Sequence, residues 1–339
     1  MFVKVLLVKL SICIPSYNRP VELGRCLDSI KNLNCEQLEV VISDDCSPRQ
    51  DEISSVVSQY KSFLSLIYIP RKTNIGYDSN LNFLAECATS EFILFVSDDD
   101  FFGDEKIDST LDFIETSKDS VIFTPILGLD GELRRTFSES GHYEVASSFA
   151  LAKFAWESIL FSGLIYNRIE FLSFDVQRFK SSIYFQVYTA CMLASASGFG
   201  YINSPLITVG GDGENGFGHN SKGCDSDLSS RNDTLSDFSY HKRLYHIIEV
   251  VNDESHFKPI TAFRVLYCLR LIPRFFHAKS SGFCELKALR DRLLEDSISY
   301  SIFTHMMFFI SRLTPGFLVP FIQRLSRMYL KYEHSRSGL

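Results

Sequence analysis

The sequence predicts an α/β fold, a mainly parallel sheet flanked by helices, continued at its C-terminal end by a helical region. Three observations predict it. Short β-rich runs alternate with helical spacing through the first 125 residues, as strands do when they run parallel and return through helices. Each of the first four runs ends in a polar cluster, at the strand ends where such sheets gather ligands. From Phe238 onward the apolar spacing is helical.

The elements follow in order. Met1–Leu10 is apolar with two lysines but has no small-residue cleavage site before the next strand, so no secretory signal is expected. Leu10–Pro15 (LSICIP) reads as the first buried strand and Pro20–Leu33 as the first helix. Pro20 suits a first helical turn, and Leu23, Cys26, Leu27 and Ile30 line one face. Leu38–Ser43 and Gln50–Phe63 form the next strand and helix, Leu64–Ile69 and Asp78–Ala88 the third pair, and Phe92–Ser97 (FILFVS) the fourth strand. Between 126 and 240, apolar Trp156–Asn167 is expected to pack on the sheet, and Tyr201–Val209 reads as a strand. That strand opens into the glycine-rich Gly210–Gly218 (GGDGENGFG), and 219–237 reads as loop. The expected domains are 1–237, with a nucleotide-binding half over 9–125 and an acceptor half over 126–237, and a helical region over 238–339.

Composition bounds the class. A chain of 339 residues holds one large α/β domain with an appendage, and 45% hydrophobic with 22% charged residues is ordinary for a folded protein. Nine cysteines without a C-x-x-C pair give a zinc site no support and fit reduced thiols in a cytosol. The 30 Phe and 15 Tyr fill a core or stack on sugars. The net charge of −7 is unevenly spread: residues 1–240 carry 19 Lys and Arg against 33 Asp and Glu, residues 241–339 carry 15 against 8. An acidic catalytic half suits a metal site, and a basic, aromatic tail an anionic surface. Ser297–Ser311 carries no Lys, Arg, Asp or Glu, and fifteen residues are too few to span a bilayer. Followed by Arg312, Arg324, Arg327 and Lys331, it reads as an interfacial helix or as a C-terminal helix closing the fold.

The polar clusters carry the chemistry. Asp98, Asp99 and Asp100 follow the fourth strand. Adjacent carboxylates repel unless a cation joins them, so Asp98 and Asp99 are candidate metal ligands, while Asp100 and Asp104 suit a helix N-terminus. Asp45, with Pro15 and Tyr17 from the neighbouring loop, offers a nucleobase a hydrogen-bond acceptor and a packing surface; an Asx-type turn explains Asp44–Pro48 equally well.

Ser11–Arg19 (SICIPSYNR), Val41–Ser47 (VISDDCS), Asn74–Leu84 (NIGYDSNLNFL) and Phe95–Asp99 (FVSDD), in this order and spacing, resemble the family 2 glycosyltransferases, which have the GT-A fold. Within that family the chain is most similar to O-antigen abequosyltransferase-type enzymes of bacterial polysaccharide synthesis. The resemblance is clear over 9–125 and weaker to about 215. It implies transfer of a sugar from a nucleotide-sugar donor to a polyprenyl-linked glycan, on the inner face of the cytoplasmic membrane, with a divalent cation, Mn²⁺ or Mg²⁺. No nucleic-acid partner is expected. The resemblance places Pro15, Tyr17 and Arg19 in the nucleotide pocket, Asp45 on the base, and Asn74, Gly76 and Asn80 near the donor sugar and phosphates. It makes Asp98 and Asp99 the diphosphate and metal carboxylates.

Two departures stand out. The family often has an Asp two places before that pair, where this chain has Val96. Inverting members carry an Asp base after a Phe-Asp element. Here Phe174-Asp175 matches the element, but the base region reads Ser182–Gln186, and an amide takes no proton. Asp212 and Glu214 in the glycine-rich loop are the alternative base candidates, and His219 a candidate metal ligand. Gln186 keeps open a catalytically degenerate sugar-nucleotide-binding protein. A nucleotidyltransferase should carry a glycine-rich phosphate loop after its first strand, where this chain has Pro-Ser-Tyr-Asn-Arg.

Overall fold

In a computed structural model, the structure describes residues 8–33, 35–103, 107–128, 131–210, 238–325 and 328. The first seven elements alternate as expected: β1 Leu10–Ser16, α1 Pro20–Asn32, β2 Leu38–Asp44, α2 Gln50–Ser58, β3 Leu66–Pro70, α3 Tyr77–Cys87 and β4 Phe92–Phe95. Then follow β5 Phe101–Phe102, α4 Asp108–Thr116, β6 Val121–Phe123, β7 Ile126–Leu127, β8 Leu133–Arg134, β9 Gly141–Tyr143, α5 Ser148–Glu157, β10 Leu164–Asn167 and α6 Arg168–Leu172. A 3₁₀ turn at Val176–Phe179 leads to α7 Phe185–Ser197, β11 Phe199–Tyr201 and β12 Ile207–Thr208. The C-terminal region is helical: α8 Phe238–Glu254, α9 Ile260–Ser281, α10 Phe283–Asp296 and α11 Ser301–Leu313.

The main sheet has the order β3-β2-β1-β4-β10-β6-β11-β9. Its first four strands are parallel, and β10 enters antiparallel between β4 and β6. A small second sheet joins β5, β12, β7 and β8.

Side chains alternate across the parallel strands, and both faces are dry. On one face Ile12, Ile14, Val40, Ile42 and Leu94 pack with Leu23, Leu27 and Ile30 of α1 and Ile53 and Val57 of α2. On the other, Cys13, Val41, Ile93 and Phe95 pack with Leu81 and Leu84 of α3 and with α5 and α7. A third core lies among the C-terminal helices, around Leu271, Phe275, Leu289 and Phe308.

Two expectations change. The run Tyr201–Val209 is not one strand: Tyr201 ends β11 in the main sheet and Ile207 starts β12 in the second, with Pro205 between them. Pro lacks the N–H that a continuous ladder needs. Trp156–Asn167 does not lie on the sheet as one segment: Trp156 closes α5, and Leu164–Asn167 becomes the sheet strand β10.

Candidate active site

Register brings the polar loops together. Ser16 lies opposite Asp44, and Asp44 opposite Pro70, so β1, β2 and β3 end level. Val96 N–H continues the β4 ladder to the Cys13 carbonyl (3.1 Å), which carries Ser97–Asp100 to the same edge.

The loops after β1 and β2 are laced to each other. Asp45 N–H donates to the Ser16 carbonyl (3.0 Å) and Asn18 N–H to Ser47 Oγ (2.8 Å). Asn18 and Cys46 are held at φ of 61° and 64°, a left-handed conformation that non-glycine residues adopt at a cost, usually near functional sites. The Asp45 carboxylate organises the next loop. Oδ1 accepts from Ile75 N–H (2.8 Å) and Oδ2 from Gly76 N–H (3.0 Å), while Asn74 Nδ2 donates to the Asp45 carbonyl (3.0 Å). Gly76 turns at φ 83°, which its missing Cβ permits. Burial pushes the Asp45 carboxyl up, while the two N–H bonds and Arg71 pull it down. Arg71 Nε stands 4.0 Å from Asp45 Oδ1, and its guanidinium lies over the Phe83 ring at 4.2 Å. Each Asp45 oxygen keeps a second lone pair for a ligand.

The Asp98 cluster sits beside this loop. Asp98 is 4% exposed. Its Oδ2 accepts from Tyr17 N–H (3.3 Å) and its Oδ1 from Arg19 Nη1 (3.2 Å); the same Nη1 is 2.9 Å from Asp99 Oδ2. Arg19 thus neutralises part of both carboxylates. The Ser97 hydroxyl donates to the other Asp99 oxygen, and Arg25 Nη2 to the Asp99 carbonyl (3.2 Å). Burial pushes Asp98 up to about 7, opposed by Arg19 and reinforced by Asp99. Arg19 offsets only part of the cost of burying this charge, and a bound cation would offset more.

Asp100 does a different job. It accepts from the Ser162 hydroxyl and from Gly210 N–H (2.9 Å), and burial raises it to about 6. A Cβ on Gly210 would lie 1.7 Å from the Asp99 carbonyl oxygen, so only glycine fits there. Ser162 is held in turn by buried Arg135, whose Nε and Nη1 donate to the Glu157 (2.7 Å) and Ser162 (2.8 Å) carbonyls.

The remaining predicted residues lie as follows. Pro15 pairs with Ser43 where β1 and β2 end. Asn80 is buried, and its Nδ2 donates to the Ser43 carbonyl (3.3 Å), tying α3 to the end of β2. Gln186 is buried, with Nε2 donating to the Ile159 carbonyl (3.2 Å). Asp175 caps the 3₁₀ turn by accepting from Gln177 N–H (2.9 Å). Asp212, Glu214 and His219 lie outside the described residues. Among the described residues no three His, Cys, Asp or Glu side chains gather to hold a metal; Asp98 and Asp99 are a pair.

Sequence reading missed Arg25, Arg135, Ser162 and Asp78. Asp78, at the start of α3, is buried and accepts from Ile183 N–H (2.9 Å) and Phe185 N–H (3.1 Å), over a turn in which Ile183 is held at φ 60°. Arg71 had a signal, since it stands in the polar cluster after the third strand. Ser162 had none, inside an apolar run.

The chain is similar to known proteins in family, in sequence and in fold. The model of the family described as Glycosyl transferase family 2 matches residues 11–187. The GalNAc(5)-diNAcBac-PP-undecaprenol beta-1,3-glucosyltransferase of Campylobacter jejuni is 28% identical over 168 residues, 47% of this chain and 54% of that one. The solved structure of Staphylococcus aureus TarS 1-349 in complex with UDP-GlcNAc superposes with a TM-score of 0.58 at 16% identity, covering 96% of this chain and 89% of that one. That of the Pyrobaculum calidifontis mannosyltransferase PcManGT in complex with GDP-Man and Mn²⁺ gives 0.52 at 13% identity, covering 99% and 89%. At these identities the two structures show a shared GT-A-like fold. The chain spans 22% to 54% of the length of the first curated relatives it matches.

Proposed function

The chain belongs to glycosyl transferase family 2, and we propose that it moves one sugar from a nucleotide-sugar donor to a polyprenyl-linked glycan, with inversion at the anomeric carbon, in O-antigen or other surface-polysaccharide synthesis. The observation that carries this reading is the Asp98–Asp99 pair, the first buried and the second partly buried, held by Arg19 beside the Asp45 loop. The lipid-linked acceptor is supported by the Campylobacter relative, whose name carries an undecaprenol-linked glycan. Work on such an acceptor places the protein peripherally on the inner face of the cytoplasmic membrane.

In this reading Asp45 accepts a hydrogen bond from the base edge, with Pro15 and Tyr17 as its packing surface. Arg19 lies close to the diphosphate, and Asn74 and Gly76 hold the loop near phosphates and sugar. Mn²⁺ or Mg²⁺ fits two carboxylates completed by diphosphate oxygens and water. Asp99, the more accessible of the two, is its main protein ligand. When bound, the cation stabilises the negative charge that gathers on the leaving diphosphate. The attacking hydroxyl must lose its proton to a base. Gln186 cannot serve, being a buried amide. Asp212 is the proposed base and Glu214 its reserve; the support is that Gly210, two residues before Asp212, is pinned to Asp99 and Asp100.

A thermal-shift panel of UDP-, GDP-, CDP- and dTDP-sugars with and without Mn²⁺ tests the reading. One nucleotide is expected to raise the melting midpoint in a Mn²⁺-dependent way, because ligand binding to the native state stabilises it. No shift from any of them would count against a nucleotide-sugar donor.

A further inference from the structure

Helix α11 carries apolar side chains on both its faces, one buried and one exposed. Its inward face carries Thr304, Met307, Phe308 and Ser311, all buried, with the Ser311 hydroxyl turned back onto the Met307 carbonyl (2.7 Å). Its outward face carries Ile302, Met306, Phe309 and Leu313, at helical spacing, and Ile302 and Leu313 are 82% and 78% exposed. The chain then breaks at Thr314-Pro315 and turns 110° into a second helical segment, Gly316–Leu325. That segment exposes Phe317 (80%), Phe321 (59%) and Leu325 (47%). Scattered apolar residues on a surface are normal; a continuous apolar stripe across two segments marks a contact site.

The charges say what covers it. Ser297–Leu325 contains no Asp or Glu, and its charged residues are Arg312 and Arg324, both exposed. Arg312 lies over the ring of Phe283, itself 53% exposed, and Lys279 Nζ donates to the Arg312 carbonyl (3.1 Å). Large apolar groups rimmed by cations fit a layer that is oily inside and anionic at its surface. A second copy docked face to face would bring together two surfaces whose charged residues are all cations, with no Asp or Glu between Ser297 and Leu325 to meet them. Spanning is also a poor fit. Among the described residues no single helix is long and apolar enough to cross a membrane; Ser301–Leu313 and Gly316–Leu325 pass only together, by length and composition, and the 110° bend between them leaves α11 alone to reach about 20 Å of the roughly 30 Å hydrocarbon core.

We infer that the outward face of α11 and Gly316–Leu325 is a monotopic docking surface for an anionic bilayer, seated in the interface plane with Phe309, Phe317 and Phe321 dipping among the acyl chains. This deepens the peripheral-membrane reading above by naming the surface. Its test uses vesicles that contain no polyprenyl lipid, so it stands or falls apart from the acceptor.

The experiment is co-sedimentation of the full chain with vesicles of phosphatidylcholine alone or with about one third phosphatidylglycerol, with the oligomeric state measured alongside. The wild type is expected to bind the anionic vesicles about tenfold better and to be released by salt. The triple variant Phe309→Ser, Phe317→Ser, Phe321→Ser should lose about nine tenths of the binding with an unchanged melting midpoint, since exposed positions tolerate change. Binding to neither vesicle, equal binding to both, or a triple variant that binds like the wild type would overturn the inference. So would a wild-type dimer that the triple variant turns into a monomer. Vesicle binding without transfer to lipid-linked glycans would leave the surface standing and remove the acceptor reading.

Discussion

The strand edge and the C-terminal helix pair depart from ordinary burial in opposite directions. At the edge, charge goes in: Asp45, Asp98 and Asp100 are all buried, and each is met by backbone N–H groups or by Arg19 and Ser162. At α11 and Gly316–Leu325, oil also goes out: Ile302, Leu313 and Phe317 face solvent, while Met307 and Phe308 face the core with Thr304 and Ser311. Buried acids are costly unless their oxygens are satisfied, and outward apolar side chains gain nothing from folding. Neither arrangement stabilises the chain for its own sake. The contrast fits the two proposals made above, a small polar ligand at the edge and a large apolar surface at the helix pair.

Breaking the inward side should have the larger effect. Asp78→Asn sets an amide donor against the N–H groups of Ile183 and Phe185, and should cost about 1–3 kcal/mol in chemical denaturation. Burial raises Asp78 to about 6 from its ordinary 3.8. A raised carboxyl contributes stability that is complete below the lower value and is lost as pH rises through the upper one. The gap between wild type and variant should therefore be widest near pH 4 and narrower by about pH 7. A gap that widens with pH would contradict the burial argument.

The next effect concerns Asp212. Asp212→Asn should lower turnover at least about tenfold with little change in donor affinity, the pattern of an interaction made in the transition state. Normal turnover in both Asp212→Asn and Glu214→Gln would place the base elsewhere, with Asp175 the next position to test, although it caps the 3₁₀ turn.

Much of the parallel half was legible because its signals are local. Leu10–Ser16 and Leu38–Asp44 are apolar runs that end in polar clusters, and the rule that ligands gather at such ends placed Asp45, Asp98 and Arg19 on one edge. Roles within the clusters were less legible. Asp99 and Asp100 are neighbours, yet Asp100 points toward Ser162 and Gly210, a choice set by a turn more than sixty residues away. Asn80 and Gln186 lie inside because of which helix face meets the sheet and the Ile159 turn, and an amide looks the same in sequence on either face. The Ser297–Ser311 run announced itself as uncharged, but its period could not say that large apolar side chains occupy the exposed face as well as the buried one.

On the proposed function, the Asp98–Asp99 edge holds a nucleoside diphosphate through a divalent cation. Titration calorimetry of the nucleotide selected by the thermal-shift panel, with wild type and Asp99→Asn, with and without Mn²⁺, tests it most directly. Mn²⁺-dependent binding is expected in the wild type and a loss of about a hundredfold or more in the variant, as when a metal worth several kcal/mol of charge stabilisation loses its main ligand, with the melting midpoint of the free protein unchanged. Equal affinity in a folded Asp99→Asn protein, or wild-type binding indifferent to Mn²⁺, would contradict it.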